Sequence, residues 1–358
     1  MVVKRPQYLL IASTAAYSGK SATIMGIAHQ LQQRGLKIGY VKPIGTYFHP
    51  KDRLENEQDL KFISQSLELS EAQVRPPLIF LDEHTINQRL KGKDTEDYQQ
   101  SLTHLCQDIS ANLVILEGAE DWQQGTLFNL STPEIAAKID APVLLVIKYA
   151  PLSLIDQILQ AKRTLGHRLL GVLINSIPPE ELELTQDVIK PFLHQRDIEV
   201  LGMVPYNSLL QSVSVRELVG QLKAQVLCRE DRLDLMVESL TIGAMNVNSA
   251  LEYFRQRQNM AVVTGGDRTD LQLAALEASI HCLILTGNTA PQPLILARAE
   301  DLEIPILAVN LDTLTTVEIV ARAFGKVRLH ETIKLDCIQE LIKQHFDLDQ
   351  LISKLGLG

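Results

Sequence analysis

Short apolar runs recur along the chain, separated by longer stretches in which apolar positions return every three or four residues. Runs of the first kind, rich in Val, Ile and Leu, are how strands buried on both faces of a parallel sheet read; the second kind read as amphipathic helices. In the first part of the chain the pattern predicts strands at 8–13, 37–42, 113–116, 142–147, 170–175 and 200–204. Helices are expected between them, for example at 21–33 and 152–164. Ser131-Thr132-Pro133-Glu134 reads as a helix start, with a hydroxyl cap ahead of a proline in the first turn. Residues 51–97 are polar and irregular, and predict a surface insertion over the sheet edge.

A second alternation follows a charged stretch at 223–234 that carries no strand pattern. It predicts strands at 240–245, 260–264, 282–286 and 305–310, helices at 247–256, 270–277, 293–302 and 316–324, and one amphipathic helix over 335–355. The reading is an α/β protein of two domains, 1–222 with a mainly parallel sheet and a smaller α/β domain at 223–358 that includes the C-terminal helices.

Composition narrows the functional classes. With 46% hydrophobic and 22% charged residues among 358, the chain has the make-up of a folded protein and not of a disordered one. A net charge of −9 argues against a nucleic-acid partner, which requires clustered Lys and Arg to neutralise phosphates. The four cysteines form no CxxC pair, so buried thiols in a reducing compartment are expected rather than a zinc site or disulfide framework. No apolar run approaches the ~18 residues needed to span a bilayer. The N-terminal apolar run is short for a signal peptide and leads straight into a glycine-lysine loop. No membrane partner and a cytoplasmic location are therefore expected.

That loop is the strongest chemical signal. The first strand runs into Thr14-Ala15-Ala16-Tyr17-Ser18-Gly19-Lys20-Ser21, and a helix begins at once. The phosphate-loop pattern is glycine, four residues, then Gly-Lys-Ser/Thr. Thr14 stands where the first glycine is usual, but the remainder fits. Gly19 allows a tight bend, Lys20 reaches β- and γ-phosphates, and Ser21 offers its hydroxyl to Mg2+. Amides free at a helix start, aided by the helix dipole, favour a polyanion there.

Gly19-Lys20-Ser21, Val41-Lys42-Pro43-Ile44-Gly45 and Leu116-Glu117-Gly118-Ala119 together resemble dethiobiotin synthetase. With Thr264-Gly265-Gly266-Asp267-Arg268-Thr269-Asp270, which is similar to the signature loop of the DRTGG domain, the arrangement resembles the N-terminal region of long bacterial phosphotransacetylases. The resemblance implies a dethiobiotin synthetase-like P-loop NTPase domain followed by a DRTGG domain, covering nearly the whole chain. Those enzymes continue into an acetyltransferase domain, for which no counterpart stands before Gly358, so acetyl transfer is not carried over.

By motif position the resemblance implies ATP and Mg2+ as cofactors. Thr14, Ser18, Gly19, Lys20 and Ser21 would hold the phosphates, and Asn175 and Pro205 would form the adenine pocket. Lys20 and Lys42 would face the transferring phosphoryl group as catalytic cations, and Ser21, Glu117 and Asp59 would hold the metal. Glu120-Asp121-Trp122 replaces the glycines that receive the substrate carboxylate in dethiobiotin synthetases, placing charge and a bulky indole there. That departure argues against the same ligase reaction.

Gly265, Gly266, Asp267, Arg268 and Thr269 would form a regulatory loop, although a tight turn with Asp267 or Thr269 capping the next helix explains the same residues. The resulting expectation is a nucleotide-responsive regulator linked to acetyl-CoA or acetyl-phosphate metabolism, binding an adenine nucleotide and assembling as a dimer-based homo-oligomer. The rivals are an ATP-dependent ligase or phosphotransferase acting on a different small acid, and a degenerate scaffold that assembles with a partner.

Overall fold

The computed structural model describes residues 7–46, 60–255, 257–287, 289–324 and 331–357. The chain divides into two compact units, Met1–Tyr206 with Leu329–Gly358, and Asn207–Arg328.

In the first unit the apolar runs become a seven-stranded sheet: β1 (Gln7–Ser13), β2 (Ile38–Val41), β3 (Val74–Arg75), β4 (Leu113–Glu117), β5 (Val143–Lys148), β6 (Leu169–Ile177) and β7 (Val200–Pro205). Their order is β3-β2-β4-β1-β5-β6-β7, and every pairing is parallel. Leu9 to Ala12 and Leu113 to Leu116 in the two central strands are completely buried, as expected where helices cover both faces. β4 enters between β1 and β2, so the carboxyl ends of three strands distant in sequence lie side by side. In open α/β sheets such ends, where strand order reverses, form the ligand crevice. Helix α1 (Lys20–Gln33) follows β1, and α2 (Leu154–Leu165) follows β5. The expected start at Ser131 is a capping box: the Ser131 side chain serves the first turn while its own amide donates to Glu134 Oε2 at 2.8 Å.

Within the segment expected to be irregular, the described residues carry regular structure. A helix spans 60–66, β3 forms the sheet edge, Ile79–Leu81 pairs with Ile44–Thr46, and Asp82 caps helix Glu83–Leu90 by accepting from the Thr85 amide at 2.7 Å. A two- or three-residue edge strand is too short to produce a readable alternation.

The main sheet of the second unit has five strands: β8 (Gln225–Cys228), β9 (Ser239–Gly243), β10 (Met260–Gly265), β11 (Ile280–Thr286) and β12 (Ile306–Ala308), ordered β8-β12-β11-β10-β9; the short segments Val213–Ser214 and Met236–Val237 pair separately. Within this main sheet only β8 is antiparallel to its neighbour. Alternate residues feed opposite faces. Met260 and Val262 pack with Phe254, Leu271 and Ile295, whereas Ala261 and Val263 pack with Leu218, Leu222 and Val320. Helix α3 (Thr269–Leu276) leaves β10 through the Gly265-Gly266 turn. β8 lies inside the charged stretch read as a boundary; only Cys228 of its four residues is buried, so it leaves no readable apolar run.

The single helix expected over 335–355 is two, α4 (Thr332–His345) and α5 (Leu348–Leu355). Phe346 between them is extended and bridges Gly202 of β7, and the Asp347 side chain caps α5 through the Gln350 amide at 2.9 Å. Both helices belong to the first unit. The division at 222/223 therefore differs from the packing, which breaks after Tyr206 and returns the C-terminal segment to the parallel sheet.

Candidate phosphate-binding site

At the end of β1 the chain curls through Tyr17 and Gly19, both left-handed with φ of 55° and 95°, before α1 begins at Lys20. A Cβ on Gly19 would stand 2.2 Å from Asn175 Nδ2, so glycine is required there by backbone and by space alike. The loop is tied from several sides. Ser18 Oγ donates to the Ala15 carbonyl at 2.7 Å, Asn175 Nδ2 donates to the Ser18 carbonyl at 2.9 Å, and the Thr14 hydroxyl donates to Gln157 of α2.

Lys20 is 8% exposed, and its ammonium donates to Ser13 Oγ at 2.7 Å and to the Glu120 carbonyl at 3.3 Å. Burial pulls its pKa below the ordinary lysine value; nearby Glu117 opposes that shift and Lys42 reinforces it. A buried cation held by a hydroxyl and a carbonyl is well placed to exchange these partners for a phosphate.

Glu117 ends β4 and is 3% exposed. Its Oε1 accepts from Ser21 Oγ at 3.1 Å and lies 3.7 Å from Lys42 Nζ, while its Oε2 accepts from the Tyr40 hydroxyl at 2.6 Å. Three strand ends thus bring Lys20, Ser21, Lys42 and Glu117 together, residues the family resemblance had grouped. A serine hydroxyl beside a carboxylate is a hard-oxygen pair of the kind Mg2+ takes along with phosphate oxygens and water.

Three residues of this network were not expected. Ser13 positions Lys20, Gln157 holds Thr14, and Tyr40 holds Glu117. Tyr40 carried a signal, since it precedes Lys42 by two residues and so shares its side of the strand. Ser13 and Gln157 carried none beyond their polarity.

Other expectations fare differently. Asp59 lies outside the described residues. Asn175 stands at the crevice, but both ends of its amide are engaged, with the Ser18 carbonyl and with the Ser176 amide at 2.9 Å. Pro205 closes β7 and pairs in register with Ile177 of β6. The Trp122 indole is largely buried. It is 6% exposed and packs in the main core while one side of it lines the cleft beside Thr14; the Glu120 backbone carbonyl accepts from Ser13 and Lys20, and the Glu120 and Asp121 charges act on Lys20. A cleft of about 240 Å³ beside the loop is lined by Thr14, Asp121, Trp122, Gln123, Gln157 and Gln160.

In the second unit the Gly265–Thr269 loop is closed on itself. The Gly266 amide donates to the Thr286 carbonyl at 2.9 Å, and Gln272 Nε2 donates to the Gly265 and Gly266 carbonyls, each at 3.0 Å. Arg268 pairs with Asp270 at 3.2 Å and donates to the Met245 carbonyl. Neither Asp267 nor Thr269 caps α3: Arg268 is the N-cap residue, without a side-chain cap, and Thr269 is already helical. The glycines serve close approach, because a Cβ on Gly266 would meet the Thr289 carbonyl at 2.4 Å.

The parallel sheet, the glycine-lysine-serine loop opening α1 and the carboxylate at the end of β4 define a P-loop α/β protein. Residues 7–214 match the AAA domain family, to which the chain belongs, and residues 217–323 match the DRTGG domain. The chain is 24% identical over 366 residues to a phosphate acetyltransferase of Synechocystis sp., covering 97% of this chain and 51% of that one. It is 26% identical over 370 residues to the phosphate acetyltransferase of Haemophilus influenzae, covering 92% and 50%. The chain therefore spans about half the length of these curated relatives, and the resemblance to the N-terminal region of long phosphotransacetylases holds. Among solved structures, the signal recognition particle receptor FtsY of Elizabethkingia anophelis is 16% identical with a TM-score of 0.38, covering 57% of this chain and 60% of that one. The CBS and DRTGG regulatory region of Clostridium perfringens pyrophosphatase, complexed with the activator diadenosine tetraphosphate, is 19% identical with a TM-score of 0.29, covering 42% and 74%.

Proposed function

We propose that the first unit binds ATP with Mg2+ and that the chain is a nucleotide-responsive regulator within acetyl-CoA or acetyl-phosphate metabolism. The observation that carries the reading is the convergence of Lys20, Ser21 and Lys42 on the buried Glu117 carboxylate at the mouth of a phosphate loop. In this reading the amides of 14–21 and Lys20 hold the phosphates, while Ser21 and Glu117 hold the cation. By family position Pro205 and Asn175 would border the base, with adenine resting on the resemblance because the Asn175 amide is already engaged at both ends. The metabolic link rests on the phosphate acetyltransferase relatives and on the DRTGG domain, whose Gly265–Thr269 loop is the proposed regulatory element. No helix among the described residues is long and apolar enough to cross a membrane, and the proposed setting is the cytoplasm. A homo-oligomer built on dimers is part of the proposal, and light scattering with and without ATP tests it.

Calorimetry with ATP, ADP and GTP, each with and without Mg2+, tests the nucleotide assignment. The expected result is ATP binding that Mg2+ strengthens; absence of binding by all three would overturn it. The cleft beside Thr14 favours a second reading, an ATP-dependent ligase or phosphotransferase with a small co-substrate next to the loop. Nucleotide-dependent phosphate release in the presence of one member of a panel of small acids and amines would establish that reading.

A further inference from the structure

The two oxygens of Glu117 are used differently. Oε1 faces the Ser21 hydroxyl and the Lys42 ammonium, whereas Oε2 accepts the Tyr40 hydroxyl at 2.6 Å. That length lies in the range of strong O–H···O⁻ bonds to an ionised carboxylate. Tyr40 is 1% and Glu117 3% exposed, so the bond is shielded from solvent, where hydrogen bonds are electrostatically stronger. Both side chains leave adjacent strands, β2 and β4, whose register sets Tyr40 opposite Ile115, two residues before Glu117. The carboxylate is therefore fixed by the sheet rather than by a loop.

We propose that Tyr40 is a positioning residue that sets cation specificity: it confines Glu117 to one cation-facing oxygen, Oε1, and so favours Mg2+ over Ca2+ at the phosphate loop. The proposal rests on the Mg2+-nucleotide reading of this site. Mg2+ demands compact octahedral geometry and is satisfied by single oxygens from few protein groups together with phosphate and water. Ca2+ takes six to eight oxygens at longer distances and engages carboxylates through one or both oxygens. With Oε2 committed to Tyr40, the two-oxygen mode that suits Ca2+ is closed. Lys42 beside Oε1 narrows the same opening further.

The test is calorimetric binding of ATP in Mg2+, in Ca2+ and in chelator, with the full chain and its Tyr40→Phe variant. The phenyl ring retains the packing and removes only the hydroxyl. Wild type is expected to bind ATP at least tenfold more tightly with Mg2+ than with Ca2+, and Tyr40→Phe is expected to shrink that ratio about fivefold or more. A role in packing alone would weaken binding with both cations and leave their ratio unchanged. An unchanged ratio in folded Tyr40→Phe, or a wild type that binds ATP equally with both cations, overturns the proposal while leaving the nucleotide reading standing. A wild type that binds no ATP under any condition overturns the nucleotide reading itself and the proposal with it. If Tyr40→Phe does not fold, Glu117→Asp replaces it. Shortening the side chain by one methylene withdraws the carboxylate from the tyrosine, and retention of the full wild-type ratio overturns the proposal.

Discussion

Lys20 shows how one side chain records both fold and site. Its charge is buried, which is unfavourable by itself, and the structure offsets that with a hydroxyl, a carbonyl and the nearby Glu117 carboxylate. A phosphate replacing the first two partners supplies full negative charge where only dipoles stood. Lys20→Ala is accordingly expected to weaken ATP binding at least tenfold, about 1.4 kcal/mol. The measurement is calorimetric, on a variant whose circular dichroism matches wild type; unchanged affinity would remove Lys20 from the phosphate site. Most of this constellation was legible at residue level because the glycine-lysine-serine motif and the strand-terminal Lys42 and Glu117 are local signals. Ser13 and Gln157 were not legible, since a serine or glutamine acquires its role only from the partner that folding places beside it.

At the scale of elements, α1 joins the phosphate loop to the C-terminal segment. Its Gly26 faces α4 so closely that a Cβ would meet Ile342 Cγ1 at 2.4 Å and Ile342 Cβ at 2.9 Å, with Ile338 at 3.2 Å. Alanine in a helix interior ordinarily gains about 0.5–1 kcal/mol over glycine. Overpacking a tight contact costs about 1–3 kcal/mol. The Ile342 contact lies at its Cγ1 and Cβ, close to the backbone, and cannot swing away as a flexible chain end could, so the cost is expected to win. Gly26→Ala should lower stability by about 1 kcal/mol in urea unfolding, and a stabilised variant would show that α4 yields at this point. The sequence pattern identified α1 and an amphipathic C-terminal helix, but not the break at Phe346. That break exists because Phe346 bridges β7, a contact no local period encodes.

For the molecule as a whole, the consequential feature is the return of the chain to its first unit. Ile338, Ile342, Phe346, Leu348, Leu351 and Leu355 are all at most 8% exposed, and the Asp347 amide donates to the Leu201 carbonyl of β7 at 2.7 Å. Each such side chain contributes about 1.5–3 kcal/mol on burial. Several together rival the roughly 5–15 kcal/mol that separates a folded domain from its unfolded chain. A fragment ending at 222, where composition places the boundary, is therefore expected to be unfolded or aggregated. Thermal melts followed by circular dichroism check this; a cooperative transition close to that of the full chain would show that α4 and α5 are dispensable to the sheet.

The sequence by itself determined the alternation of buried strands and helices, the two-part α/β organisation and the phosphate loop. Each of these is written in neighbouring residues, through a period of two or 3.6 or through a contiguous motif. The tertiary structure alone decided that Trp122 enters the core, that Tyr40 divides the two oxygens of Glu117, and that Leu329–Gly358 packs with the first unit. Those outcomes depend on which surfaces meet. An apolar helix face or a polar side chain carries no mark of its partner, and only strand order and packing bring residues far apart in sequence into contact.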